Sequence, residues 1–186
     1  QSNNGAPLDL LGAKNVVHED RIMGIAMRPY LTSNTEADSG ITTLVATASI
    51  DLTAKLCAIK LNDGAIVSND DAMDVENLNV TDNKLRYEVT EVAHLKGQGA
   101  RLCSVAVHPS GRYVATTSVD HTWRLWDVET SNMESGNEIL LQDGHAREVY
   151  GVGFHPDGSL VSTTDFGGVV QCWDLRTGKS ACHFIG

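Results

Sequence analysis

The chain is short of positive charge, of aromatic rings and of long apolar runs. Lysine and arginine number 14 against 24 aspartates and glutamates, a formal charge of −10. That balance disfavours a globally basic nucleic-acid binder and electrostatic docking on anionic lipid. No apolar run approaches the ~18 residues that a membrane-spanning helix needs, so no membrane association is expected. The opening residues, Gln1-Ser2-Asn3-Asn4-Gly5, carry neither a basic flank nor an apolar stretch, and no signal peptide is expected there. The four cysteines, Cys57, Cys103, Cys172 and Cys182, form no C-x-x-C pair, which leaves zinc and thioredoxin-like readings with little support. Each sits in an apolar or alternating segment and is expected to be a buried free thiol of a reducing compartment. Cys172 and Cys182 can fall on neighbouring strands, which alone does not argue for a disulfide.

What the chain does have is 17 glycines and 41% hydrophobic residues, with only 5% aromatic. Tight turns and modest side chains suit that mixture better than a long-helix bundle. The 186 residues are a comfortable size for one domain.

The main signal is internal repetition. Leu102 to Pro109 (LCSVAVHP) lies over Val149 to Pro156 (VYGVGFHP) at an offset of 47 residues without a gap. The match continues through Ser110-Gly111 over Asp157-Gly158 and Tyr113-Val114 over Leu160-Val161, and ends with Trp126-Asp127 over Trp173-Asp174. Upstream, Gly97-Gln98 falls on Gly144-His145. A third copy places Ile22 to Pro29 on the first strand and Leu44 to Asp51 on Tyr113 to Asp120. It has His18 in place of His145 and an insertion of 11 residues around Thr32 to Thr43.

Each copy reads as short alternating strands between Gly, Pro and Asp turns. In the second copy these are Leu102 to Val107, Tyr113 to Ser118, Trp123 to Val128 and Glu138 to Gln142. Strand signals every ~8–12 residues indicate an all-β architecture. Trp123 and Trp126, three apart on a strand, point to opposite faces.

Four strands per unit, Gly-His near the start and Trp-Asp near the end, resemble the WD40 repeat of a β-propeller blade. The expected fold is therefore an all-β WD40 β-propeller, with about three four-stranded antiparallel blades of a ring of about seven. Residues 1–15 complete a preceding blade or are disordered; 16–96, 97–143 and 144–186 are one blade each, the last cut before the next repeat. Two open inter-blade faces are expected to make the isolated chain self-associate.

The resemblance also implies a hydrogen-bonded relay in each blade, joining a loop His, a strand Ser or Thr, a turn Asp and a third-strand Trp. Blade one offers His18, Ser49 and Asp51, with Cys57 at the Trp position. Blade two offers Ser118, Asp120 and Trp126, with Gln98 replacing His. Blade three offers His145, Thr163 or Thr164, and Trp173. It has Gly167 at the Asp position, so Asp165 is the nearby substitute.

Two charge features stand out. Residues 62–83 hold Asp63, Asp70, Asp71, Asp74, Glu76 and Asp82 and no cation, which reads as a solvated acidic loop. Its spacing does not match a calcium-binding EF-hand loop. Residues 84–124 carry Lys84, Arg86, Lys96, Arg101, Arg112 and Arg124 against Glu88, Glu91 and Asp120. Strand alternation spreads that excess over different faces, so scattered surface charge is expected rather than an RNA-binding patch.

Chemistry-bearing motifs are few. Gly178-Lys179-Ser180 looks like the end of a phosphate-binding loop, but Trp173 stands where the first glycine belongs and a strand follows instead of a helix. Asp120-His121 and His155 with Asp157 lie in turns that every blade needs, with no nucleophile beside them. No catalytic residue, metal site or cofactor is expected.

The run Val107-His108-Pro109-Ser110-Gly111-Arg112-Tyr113, then Thr116-Thr117, Asp120 and Trp123-Arg124-Leu125-Trp126-Asp127, resembles the WD40-repeat subunits of the U4/U6 small nuclear ribonucleoprotein, the pre-mRNA-processing factor four family. Glu138-Ile139-Leu140, Gly144-His145, Phe154-His155 and Trp173-Asp174-Leu175-Arg176-Thr177-Gly178 continue the likeness. The resemblance implies a nuclear, non-catalytic scaffold of the spliceosomal U4/U6 and tri-snRNP particles. Its implied partners are a protein that binds the U4/U6 RNA duplex and a cyclophilin, with the RNA itself contacted indirectly. The alternative is a WD40 adaptor of another complex, such as a ubiquitin-ligase substrate receptor or a chromatin reader. By repeat position, the narrow face of the propeller presents the loop before the first strand and the turn before the Asp. Arg101, Arg147, Tyr150 and Phe166 are the candidate partner-binding residues, since Arg and aromatic side chains dominate interface energies.

Overall fold

The computed structural model describes residues 18–28, 40–62, 86–131, 134 and 136–186. Residues 1–15, the acidic loop beyond Asn62 and most of the first-blade insertion lie outside the described residues.

The described chain forms three four-stranded sheets, each a meander with its strands in sequence order. The first holds β1 (Ile22–Met27), β2 (Gly40–Ser49), β3 (Ala54–Asn62) and β4 (Arg86–Leu95). The second holds β5 (Leu102–Val107), β6 (Tyr113–Ser118), β7 (Trp123–Asp127) and β8 (Asn137–Gln142). The third holds β9 (Val149–Phe154), β10 (Leu160–Asp165), β11 (Val169–Asp174) and β12 (Lys179–Ile185). Every pairing is antiparallel. The fold is thus all-β, with no helix among the described residues, and the sheets are propeller blades. β2 begins earlier than expected. Residues 40–43, assigned to the insertion, are strand and pair with Ile59 to Asn62.

The core lies between the blades. β1 packs beside β5, and β5 beside β9, so the innermost strands stand next to one another. A side-chain carbon on Gly24 would come 3.1 Å from the Ser104 Cα. Between blades one and two, Ala46, Ala48, Ala54 and Ala93 form a shallow wall. Leu56, Leu95, Leu102, Val105, Val107 and Trp126 fill the space against it. Between blades two and three, Ala115, Trp123 and Leu125 meet Val161 and Trp173. Trp126 and Trp123 therefore serve opposite interfaces of one strand, as alternation requires. Burying an aromatic side chain removes ~150–250 Å² from water, worth roughly 4–6 kcal/mol before entropy. These two tryptophans are the largest fully buried side chains.

At the broad end of each interface a side chain clips one blade to the next. After β1, Arg28 Nη2 donates to the Ser110 carbonyl at 2.6 Å. After β5, His108 Nε2 donates to the Gly158 carbonyl at 3.0 Å. The receiving turn needs glycine twice over. Gly158 has φ +78, and a Cβ there would sit 2.4 Å from His108 Nε2.

Candidate functional site

The relays of blades two and three lie at the blade interfaces, and that of blade one lies on its face turned away from blade two. In blade three, Trp173 Nε1 donates to Thr163 Oγ1 at 2.8 Å. Thr163 Oγ1 lies 2.6 Å from His145 Nε2, and His145 Nδ1 lies 3.0 Å from Asp165 Oδ2. A carboxylate only accepts, so the imidazole proton is on Nδ1 and Nε2 receives the threonine hydroxyl. The bonds then run one way: indole to hydroxyl to imidazole to carboxylate. All four residues are buried. Burial pushes the Asp165 carboxyl up, but hydrogen bonds from His145, Val169 N and Gly167 N outweigh it and hold it below the usual range.

Blade one has the same arrangement without the indole. His18 Nδ1 donates to Asp51 Oδ2 at 2.8 Å, and Thr47 donates to His18 Nε2 at 2.8 Å. Burial raises the Asp51 carboxyl, yet hydrogen bonds from Thr53, His18 and Glu19 N bring it down to about 2. Cys57 occupies the Trp register position, opposite Val45, and burial pushes its thiol up to about 11.

Blade two is different. Gln98 Nε2 and Trp126 Nε1 both donate to Thr116 Oγ1, at 2.6 and 2.9 Å. Gln98 Oε1 is buried without a partner. Exchanging the two ends of the amide would let Thr116 donate to the oxygen and leave the nitrogen in the unpartnered place. Either way one end is unsatisfied. Asp120 holds its turn instead, taking Gly99 N on Oδ2 and Thr122 on Oδ1.

Two expected relay members stand elsewhere. Ser49 and Ser118 lie two residues past the relay hydroxyl. Ser49 donates to the Asp20 and Arg21 carbonyls, and Ser118 to those of Ala100 and Arg101. The relay hydroxyls are Thr47, Thr116 and Thr163. The 47-residue register already puts Thr116 under Thr163, and that was the signal available. In blade three Asp165 stands where the other blades have serine. Gly167 has no side chain, so the carboxylate reaches His145 from the strand end and caps Gly167 N and Val169 N with its other oxygen.

The cysteines divide as well. Cys57 and Cys103 are buried free thiols, but Cys172 is half-buried and Cys182 exposed. Both lie on the third blade, whose outer face no described residue of the chain covers. The expectation of four buried thiols fails for that reason.

The proposed partner-binding residues gather at the end where the innermost strands begin. Tyr150 is 41% exposed and Phe166 73% exposed, with ring centroids 5.8 Å apart. Arg147 lies over the turn beside them, its Cγ 3.2 Å from where a Gly167 Cβ would be. Arg101 is exposed just before β5; burial pushes the Cys103 thiol up, Arg101 lowers it, and Glu148 of the third blade raises it. In strict register the equivalent of Arg101 is Glu148, since Val119 N bonds the Arg101 carbonyl and Phe166 N that of Glu148. Two other cations of blade two are paired: Arg112 Nη2 meets Asp127 at 3.2 Å, and Arg124 meets Glu138. Among the described residues no group of three His, Cys, Asp or Glu could hold a metal ion.

Comparison with known families gives WD40, "WD domain, G-beta repeat", over residues 89–127 and 136–174. Each match runs from the outermost strand of one sheet through the three inner strands of the next, β4 with β5–β7 and β8 with β9–β11. The chain is 44% identical over 50 residues to the U4/U6 small nuclear ribonucleoprotein PRP4 of Saccharomyces cerevisiae, covering 27% of this chain and 10% of that protein. It is 34% identical over 64 residues to human Transducin beta-like protein 2, 34% of this chain and 14% of that one. It is 49% identical over 39 residues to mouse TBC1 domain family member 31, 21% of this chain and 4% of that one. The matches thus span about a seventh or less of these relatives.

Proposed function

From a chain that carries WD40 repeats, we propose a non-catalytic protein-interaction scaffold of the U4/U6 ribonucleoprotein, acting in the nucleus in pre-mRNA splicing. WD40 repeats point to the interaction role. The partial likeness to PRP4 supports the splicing assignment. The observation that carries the docking role is the pair of exposed rings, Tyr150 and Phe166, beside Arg147 at the narrow end of the blades. Large exposed aromatics next to arginine are the composition of interface hot spots. Arg101 extends this surface onto blade two. The partners this reading takes are proteins of the U4/U6 particle, among them the one that binds the RNA duplex and a cyclophilin. The RNA joins through them, because the chain is acidic overall.

Tagged protein immunoprecipitated from nuclear extract is expected to bring down U4 and U6 RNA. Recovery of a cullin adaptor or of histones without those RNAs would contradict the splicing reading and support the other WD40 adaptor roles. Ile25, 67% exposed, stands at the register position where Val105 is 5% exposed against blade one. This open apolar face is the reason we also propose self-association of the isolated chain. A monomeric mass by light scattering would contradict it.

A further inference from the structure

Each sheet puts one side-chain pair at the same place, just before the bulge between its third and fourth strands. In blade one the pair is Leu56 and Ala93, in blade two Leu125 and Leu140. These apolar pairs press on a neighbouring blade. In blade three the same place holds Cys172 and Cys182, direct partners across β11 and β12. Partners across an antiparallel ladder have Cα atoms roughly 4.5–5.5 Å apart, inside the ~4.4–6.8 Å that disulfides span. The two thiols are close enough to interact directly. Cys182 is exposed, whereas Cys57 and Cys103 are buried.

We propose that Cys172 and Cys182 form a covalent modification site, a cross-strand dithiol that a small-molecule disulfide such as oxidised glutathione converts to an internal disulfide. The exposed Cys182 thiolate attacks one sulfur of the oxidant and expels one glutathione thiolate, leaving a mixed disulfide. The Cys172 thiolate then attacks the Cys182 sulfur and expels the second. Two cysteine thiols lose two protons and two electrons, and one glutathione disulfide becomes two thiols. Burial raises the Cys172 thiol, so the exposed Cys182 attacks first and the mixed disulfide precedes the internal link. The product staples β12, whose residues are all exposed, onto β11.

The test is to incubate the whole chain in glutathione buffers of graded oxidation, quench with acid and map peptides by mass spectrometry. The expected result is a glutathione adduct on Cys182 that gives way to one peptide pair linking Cys172 to Cys182, reversed by reductant. Cys172→Ser is expected to stop at the adduct, and Cys182→Ser to react at least tenfold more slowly. Hydrogen exchange in β12 is expected to slow in the oxidised chain. A wild-type chain that stays at the adduct, that links Cys57 or Cys103, or that does not react overturns the proposal.

Discussion

Blades two and three share one ungapped register and differ at the positions where chemistry or contact is decided. Blade three has His145 on Asp165; blade two has Gln98, whose amide leaves one end without a partner. Blade three exposes Tyr150 and Phe166; at the same register blade two has the buried Cys103 and the half-buried Val119. One scaffold therefore separates two jobs. The indole–hydroxyl bond is common to both blades and holds the interface. The loop residue and the two narrow-face positions vary without disturbing the strands.

The largest effect is expected where both blades depend on the same atom. Thr163→Val and Thr116→Val each strand a buried indole N–H together with the loop side chain, at ~1–3 kcal/mol per orphaned group and about 3 kcal/mol in all. Thr47→Val in blade one, where Cys57 offers no indole, is expected to cost about half as much. Urea unfolding of the three variants checks the order.

Exchanging the loop residues probes the difference itself. His145→Gln removes the carboxylate contact and is expected to destabilise by about 1.5 kcal/mol. Gln98→His gives blade two an imidazole within reach of Asp120, the arrangement of His18 with Asp51, and is expected to stabilise by about 1 kcal/mol. Equal losses from both exchanges would show that the relays are not equivalent.

Acid sharpens the same contrast. The folded-state carboxyls of Asp165 and Asp51 lie below their unfolded values, so their contribution is complete above an unfolded pKa of ~3.9. It is lost as pH falls through the folded values, which for Asp51 is about 2. The destabilisation by His145→Gln, which acts on Asp165, is therefore expected to shrink as pH falls below ~4. The smallest effect belongs to the partly exposed ion pair of blade two, Arg124 with Glu138. Arg124→Gln, which installs the blade-three residue Gln171, is expected to change stability by less than ~0.5 kcal/mol.

Much of the fold was legible because local rules repeat. Tyr113 to Ser118 is a strand with those bounds because turns flank it and Tyr, Val and Thr favour strands, although all but Tyr113 are buried. The relay was legible in His18 with Asp51, in Trp126 and Trp173 and in Thr163 of blade three, but not in the hydroxyls of blades one and two. Ser118 and Thr116 lie on the same strand face, both buried, and only packing decides which hydroxyl the indole reaches. The exposure of Cys182 was not legible either. Alternation tells which face a residue takes, not whether another blade covers that face.

The claim that blade three carries the docking surface has a direct test. Tyr150→Cys with Phe166→Val gives blade three the side chains that blade two already holds at those positions. Recovery of the U4/U6 particle by this double variant is to be compared with wild type, with thermal unfolding measured alongside. A fall of at least tenfold in recovery with an unchanged unfolding midpoint is the predicted result. Full recovery by a folded double variant would contradict it.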